Sequence, residues 1–281
     1  MTQELDGMVA VVTGASRGAG RGIALVLGER GATVYVTARS ATGAPSGEDR
    51  QGTIEDTAEA VSQRGGRAVA VRCDHTVDSD VAALFERVEH EQGRFDLLVN
   101  NAWGGYQRPA GQRDVPFFDA PFWQQPMWRW DGMFTAGVRA HYLTSALAVP
   151  LLLRSQSHPR LIISTIAWAY GAYLGNVLYD AAKAATSRIA FGMAEDLRPH
   201  GIAALALAPG HLGVNETTEY LGRAVAALAS DRDALAKSGR TVTVGDLARE
   251  YGFTDTDGTQ PAPFRLEDGT FPPPSAANAD R

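Results

Sequence analysis

The chain has 281 residues, 44% hydrophobic and 21% charged, an ordinary globular composition with enough apolar residues for a sizeable core. A formal net charge of −6 and a pI near 5.5 argue against nucleic acid or an anionic membrane as the main partner. Cys73 is the single cysteine and the six histidines lack paired ligand spacing, which excludes an intrachain disulfide and a thiolate metal cluster.

Along the chain, short β-branched runs alternate with longer helical patterns. Met8–Thr13 reads as a strand and Arg21–Gly31 as a helix that stops at its glycine. Ala32–Ala38 is a second strand. Thr53–Gly65 follows as a helix, with Thr53 as its cap and Asp56 three residues on. Ala68–Cys73 is a third strand, Ser79–Gly93 a helix and Leu97–Val99 a fourth strand. A segment rich in Pro, Phe and Trp, 104–130, precedes a helix over Trp130–Leu153. Arg160–Thr165, Tyr179–Pro199 and Ala203–Ala208 then read as strand, helix and strand.

This alternation predicts the α/β class: a doubly wound, mostly parallel sheet of the Rossmann-like kind, with helices on both faces. The expected organisation is one domain over residues 1–281, with 211–281 as a substrate lid and tail. Within that tail, Val225–Leu228 reads as a lid helix, Thr241–Val244 as a late strand and Asp246–Tyr251 as a short helix. The composition after Thr254 reads as mostly irregular, with Pro272-Pro273-Pro274 as extended surface chain. The first residues carry neither a basic start nor an apolar signal core, and the apolar stretch Tyr142–Leu153 is too short to span a bilayer. A cytoplasmic location is the resulting expectation.

The first strand runs into Thr13-Gly14-Ala15-Ser16-Arg17-Gly18-Ala19-Gly20, and a helix follows. Glycines there let the backbone approach a pyrophosphate, while the helix points its free N–H groups and positive dipole end at the anion. The spacing TGxxxGxG resembles that of the short-chain dehydrogenase/reductase family, over about residues 5–215. Asn100-Asn101-Ala102-Trp103 stands where that family usually has Asn-Asn-Ala-Gly. Tyr179-Asp180-Ala181-Ala182-Lys183 matches its YxxxK motif, and Pro209-Gly210 its turn against the nicotinamide. The long aromatic segment after the fourth strand points to an atypical branch.

The resemblance implies a nicotinamide cofactor, a small carbonyl or alcohol substrate, and self-association into a homo-oligomer. It places Gly14, Ser16, Gly18, Gly20, Asp74, Asn100, Pro209, Gly210 and Leu212 at the cofactor, with Asp74 at the adenine. At the end of the second strand Ala38 stands where an NAD site carries its ribose-binding carboxylate, and Arg39 follows. Arg17 lies on the same side. Two guanidinium groups without an opposing carboxylate suit a 2′-phosphate, hence NADP(H).

Tyr179 and Lys183 share one helix face, one turn apart. An ammonium nearby would lower the phenol pKa, and such a tyrosine can exchange a proton with a carbonyl oxygen as hydride moves. The family also has a serine thirteen residues before the tyrosine. That count lands on Ile166, which leaves Thr165, and after it Ser164, for the substrate hydrogen bond. The family's relay asparagine falls on Gly137, leaving His141 as a substitute or as a packing residue. These departures keep open an NADPH-binding regulatory protein with little catalysis. Phe117, Phe118, Phe122, Trp123, Trp128 and Trp130, with Trp168, Tyr170 and Tyr173, predict an apolar, aromatic-lined pocket, about half of them filling core or contact surface instead.

Overall fold

The computed structural model of the chain describes residues 4–43, 51–109, 111–118, 120–156, 159–167 and 173–264. Trp168, Tyr170 and the Pro272–Pro274 run lie outside the described residues.

Seven strands form one sheet: β1 (Val9–Thr13), β2 (Thr33–Ala38), β3 (Arg67–Arg72), β4 (Leu97–Asn100), β5 (Leu161–Thr165), β6 (Ala203–Ala208) and β7 (Thr241–Thr243). Every pairing is parallel, in the order β3-β2-β1-β4-β5-β6-β7. The expected doubly wound Rossmann-like fold is therefore present. Strand alternation assigns the two faces. Ala10, Val12, Leu161 and Ile163 enter one core with α1 (Gly18–Glu29), α2 (Ile54–Gln63) and α7 (Thr218–Ser230). Val11, Leu98 and Ile162 enter the other, with α3 (Asp78–Gln92), α5 (Ala140–Arg154) and α6 (Val177–Leu197). The order reverses between β1 and β4, and a crevice opens at the strand carboxyl ends beside that switch point.

Local signals explain several boundaries. Thr53 Oγ1 accepts from Asp56 N at 3.1 Å and Asp56 Oδ2 accepts from Thr53 N at 2.8 Å, the reciprocal cap expected there. Asn176 starts α6 by accepting from Leu178 N and Tyr179 N, so the helix begins two residues before Tyr179. Thr243 caps α8 (Val244–Tyr251).

Two expectations need correction. The stretch Val225–Leu228 is no lid: it is the interior of α7, and Val225 and Leu228 are fully buried in the core shared with α1. The helix expected over Trp130–Leu153 is longer. A seven-residue helix, α4 (Met127–Met133), continues through a π-helical turn (Phe134–Arg139) into α5. The resulting 28-residue run is long and apolar enough to cross a membrane by length and composition alone. Its Ala148, Leu151 and Leu152 pack into the sheet core, which accounts for the apolar content.

Candidate active site

The crevice is a cleft of about 360 Å³ lined by residues that follow β1, β2, β3, β4, β5 and β6. At its centre β1 ends in the glycine turn. Gly14 adopts φ +64, and a Cβ there would come within 3.0 Å of the Ala102 backbone. Asn101 Nδ2 donates to Thr13 O and Gly14 O at 3.1 and 3.3 Å, tying this turn to the end of β4. The α1 N-terminus has no side-chain cap, and Gly18 and Ala19 face the cleft. Uncapped N–H groups beside a glycine with nothing within 4 Å of its missing Cβ fit the pyrophosphate of a dinucleotide. Gly20 works differently. A Cβ there would sit 2.4 Å from Gly14 O, so its role is close packing behind the turn.

At the end of β2, Arg17 and Arg39 both line the cleft. Arg17 donates to Ser40 Oγ and, at 3.3 Å, to Ser16 Oγ. Arg39 donates to Gln107 across the opening and lies 4.0 Å from Asp74. Ser16, Asp74 and Thr76 complete this end. Burial pushes the Asp74 carboxyl up, but hydrogen bonds from Thr76 and the Arg39 charge outweigh it and hold the group below its ordinary range. Ser40 and Gln107 escaped the sequence reading: Ser40 carries no motif, and Gln107 reaches Arg39 only through the tertiary fold.

Asn100 does not line the cleft. It continues the alternation of β4 toward α5, is fully buried, and donates to Ser145 Oγ at 2.8 Å; Asn101, one residue on, faces the cleft instead. Pro209 and Leu212 line the cleft as expected. Gly210 borders a neighbouring cavity and donates its N–H to Glu216 at 2.8 Å. Ser164 is buried outside the cleft lining. Thr165 lines it, with its hydroxyl directed to Asn100 O at 3.2 Å and Asn101 Oδ1 at 3.3 Å.

Tyr179 and Lys183 line the cleft together with Trp103, Tyr106 and Thr165. Four rings surround Tyr179: Trp103, Tyr106, Phe117 and Phe118, at centroid distances of 5.5, 6.3, 5.6 and 6.2 Å. Burial and a hydrogen bond with the Tyr106 hydroxyl hold the Tyr179 pKa well above 10. This reverses the expected lowering by Lys183, because desolvation dominates; Tyr179 is a protonated phenol, a donor. Lys183 Nζ lies 3.9 Å from the Trp103 ring centroid and 5.6 Å from that of Tyr179. Burial takes its pKa down to about 7.

The two oddest sequence departures explain each other. A Cβ on Gly137 would come within 2.5 Å of the Trp103 indole. Trp103, which stands where the family usually has glycine, thus fills the space left by the missing side chain at Gly137. His141 is buried, hydrogen-bonded to Ala102 O at 3.0 Å, and driven by burial and then by Lys183 to a pKa of about 3. It is neutral at ordinary pH and packs rather than titrates.

The 104–130 segment contributes Tyr106 and Gln107 to the cleft wall. Arg129, itself buried, donates to Pro116 O, Val115 O and Gln125. Asn176 Nδ2 donates to Phe117 O at 2.6 Å, joining this segment to the cap of the Tyr179 helix. Of the aromatic residues named from the sequence, Phe117 and Phe118 reach Tyr179. Phe122, Trp123 and Trp130 are exposed, as is Tyr173.

Residues 8–223 match the short chain dehydrogenase family. The chain is 36% identical to dehydrogenase/reductase SDR family member 1 of Homo sapiens, over 92% of this chain and 86% of that protein. It is 31% identical to the 7alpha-hydroxysteroid dehydrogenase of Escherichia coli strain K12, over 73% of this chain and 71% of that one. Among solved structures, a metagenomic short-chain oxidoreductase in complex with NADP superposes with a TM-score of 0.69 at 28% identity, covering 85% of this chain and 97% of its own. A putative dehydrogenase from Xanthomonas campestris superposes with a TM-score of 0.77 at 27% identity, covering 94% and 99%.

Proposed function

The chain belongs to the short-chain dehydrogenase/reductase family, and from that premise we propose that it transfers hydride between NADP(H) and a carbonyl or alcohol substrate, with Tyr179 as the acid/base group. The observation that carries this reading is Tyr179 buried in the cleft, one helical turn from Lys183 and facing the glycine turn. NADPH, when bound, supplies the hydride. The α1 N-terminus with Gly14 and Gly18 would hold the pyrophosphate, while Arg17, Ser40 and Arg39, which line the cleft with them, would hold the 2′-phosphate. Lys183 holds the nicotinamide ribose. In reduction the Tyr179 O–H gives its proton to the substrate oxygen; in oxidation the phenolate takes it back. Trp103, Tyr106, Phe117 and Phe118 wall the substrate side and favour apolar or aromatic substrates, the mark of an atypical branch of the family.

NADPH oxidation against a panel of aliphatic and aromatic aldehydes and ketones tests the reading. Wild type turns over at least one of them, and Tyr179→Phe lowers that turnover at least a hundredfold. Turnover that survives Tyr179→Phe unchanged removes the assignment. One observation favours a second reading, an NADPH-responsive regulatory protein: the Thr165 hydroxyl is directed to Asn100 O and Asn101 Oδ1, away from a substrate. Tight NADPH binding without turnover on the whole panel supports that reading, and Tyr179-dependent turnover excludes it.

A further inference from the structure

An oxygen that gains negative charge as hydride arrives is stabilised by donors already aimed at it, and one phenol gives only one. The cleft holds hydroxyl groups, among the described residues, on Ser16, Ser40, Thr76, Tyr106, Thr165 and Tyr179. The first three belong to the adenosine end: Arg17 donates to Ser16 and Ser40, and the Thr76 hydroxyl donates to Asp74 Oδ1 at 2.7 Å. Thr165 has a single hydrogen, and two acceptors at 3.2 and 3.3 Å hold it on the β4 side. Ile166, at the place of the family's serine, has no hydroxyl, and Ser164 is buried outside the cleft lining. Tyr106 remains. Its ring lies 6.3 Å from that of Tyr179 with the planes only 34° apart, and both side chains line the cleft. Packing against Trp103 at 5.9 Å and Phe117 at 5.0 Å orients the ring, while 44% exposure leaves its edge open to an incoming ligand.

We propose that Tyr106 is a second catalytic residue, whose hydroxyl donates a hydrogen bond to the substrate carbonyl oxygen beside Tyr179. Both side chains line the same cleft beside Trp103, which puts the Tyr106 ring next to that of Tyr179. In reduction, hydride adds to the carbonyl carbon and the C=O π bond breaks onto oxygen. That oxygen takes the Tyr179 proton, and solvent later restores it to the phenolate. Tyr106 keeps its own proton throughout and supplies only the hydrogen bond. NADPH is oxidised by two electrons and the carbonyl is reduced by the same two. The inference rests on the Tyr179 acid/base reading and adds a residue to it.

The test is single-turnover hydride transfer, followed by loss of NADPH absorbance, in wild type, Tyr106→Phe, Thr165→Val and Tyr179→Phe. The probe is the fastest-reduced aromatic aldehyde or ketone of the panel. Tyr106→Phe retains the ring and its packing, and an unchanged NADPH Kd and thermal midpoint confirm an intact fold. The expected result is a roughly tenfold to hundredfold slower hydride-transfer step in Tyr106→Phe, the loss of one charge-assisted hydrogen bond, with a smaller effect in Thr165→Val. A Tyr106→Phe rate within twofold of wild type overturns the inference, as does a change confined to KM, which would make Tyr106 a pocket wall. A large loss in Thr165→Val alone overturns it in favour of Thr165. Unchanged turnover in Tyr179→Phe, or none by wild type on any probe, instead overturns the acid/base reading beneath it.

Discussion

Replacing Gly137 by alanine places a Cβ 2.5 Å from Cζ3 and 2.6 Å from Cε3 of Trp103. Those atoms belong to a rigid indole, itself held by Tyr179 at 5.5 Å and Tyr106 at 5.9 Å, so the ring cannot give by a bond rotation alone. Overpacking of this kind costs about 1–3 kcal/mol. Ordinarily a glycine-to-alanine change inside a helix gains roughly 0.5–1 kcal/mol, so the indole reverses the sign. Trp103→Ala empties the space and restores the ordinary sign. The two substitutions should therefore couple by about 2–3 kcal/mol in a double-mutant cycle. Thermal unfolding followed by circular dichroism reads this as a fall of roughly 3–9 °C for Gly137→Ala in wild type, and a small rise when the same change is made in Trp103→Ala. Equal effects in the two backgrounds, or a stabilising Gly137→Ala in wild type, would refute the claim that the tryptophan occupies the space over this glycine.

Cofactor choice follows from the adenosine end. On the proposed NADP(H) reading, Arg17→Ala and Arg39→Ala should each weaken NADPH by about tenfold or more and leave NADH nearly unchanged, because each would remove a charge-assisted contact to the 2′-phosphate. Arg39→Asp adds repulsion and a ribose acceptor; if wild type binds both cofactors alike, or Arg39→Asp alters neither Kd, the NADP(H) reading is wrong. Acid sensitivity follows from two buried imidazoles. His75 bridges Thr37 and Thr144 at 2.8 and 3.0 Å, and burial takes its pKa from 6.5 to about 4. Burial takes His141 to about 3. Both folded pKa values lie below the unfolded one, so under pH 6.5 the unfolded chain binds protons that the folded chain refuses. Stability is complete above pH 6.5 and falls as the pH drops toward 4 and then 3, by up to about 3 kcal/mol for His75 alone. Urea unfolding from pH 7 to 4.5 should show a shallower decline in His75→Gln than in wild type, and parallel curves would count against it.

Much of the architecture is legible from local chemistry, because periodicity and caps are local. Thr53 with Asp56, the glycine turn after β1 and the one-turn spacing of Tyr179 and Lys183 all act within a few residues. Boundaries slipped where the deciding contact was distant or the signal was masked. The helix before β5 extends back to Met127, through a segment whose Pro and Trp content reads as loop. The Val225–Leu228 run is apolar for α1 beneath it, not for a ligand. Asn100 was assigned to the cleft by its motif, but the side-chain alternation of β4 turns it toward Ser145 and leaves the cleft to Asn101.

By itself the sequence determined the strand–helix rhythm, the glycine turn after β1 and the Tyr179–Lys183 pair, since each depends on spacing along one element. Tertiary structure alone decided which groups meet across elements separated in the chain. Trp103 closes over Gly137 and under the Lys183 ammonium. Gln107 reaches Arg39, Asn176 joins the 104–130 segment to the Tyr179 helix, and Tyr106 packs its ring beside that of Tyr179. The same packing reversed the expected shift at Tyr179. Spacing says that a lysine is near, but only the enclosing rings show the burial that raises the phenol pKa.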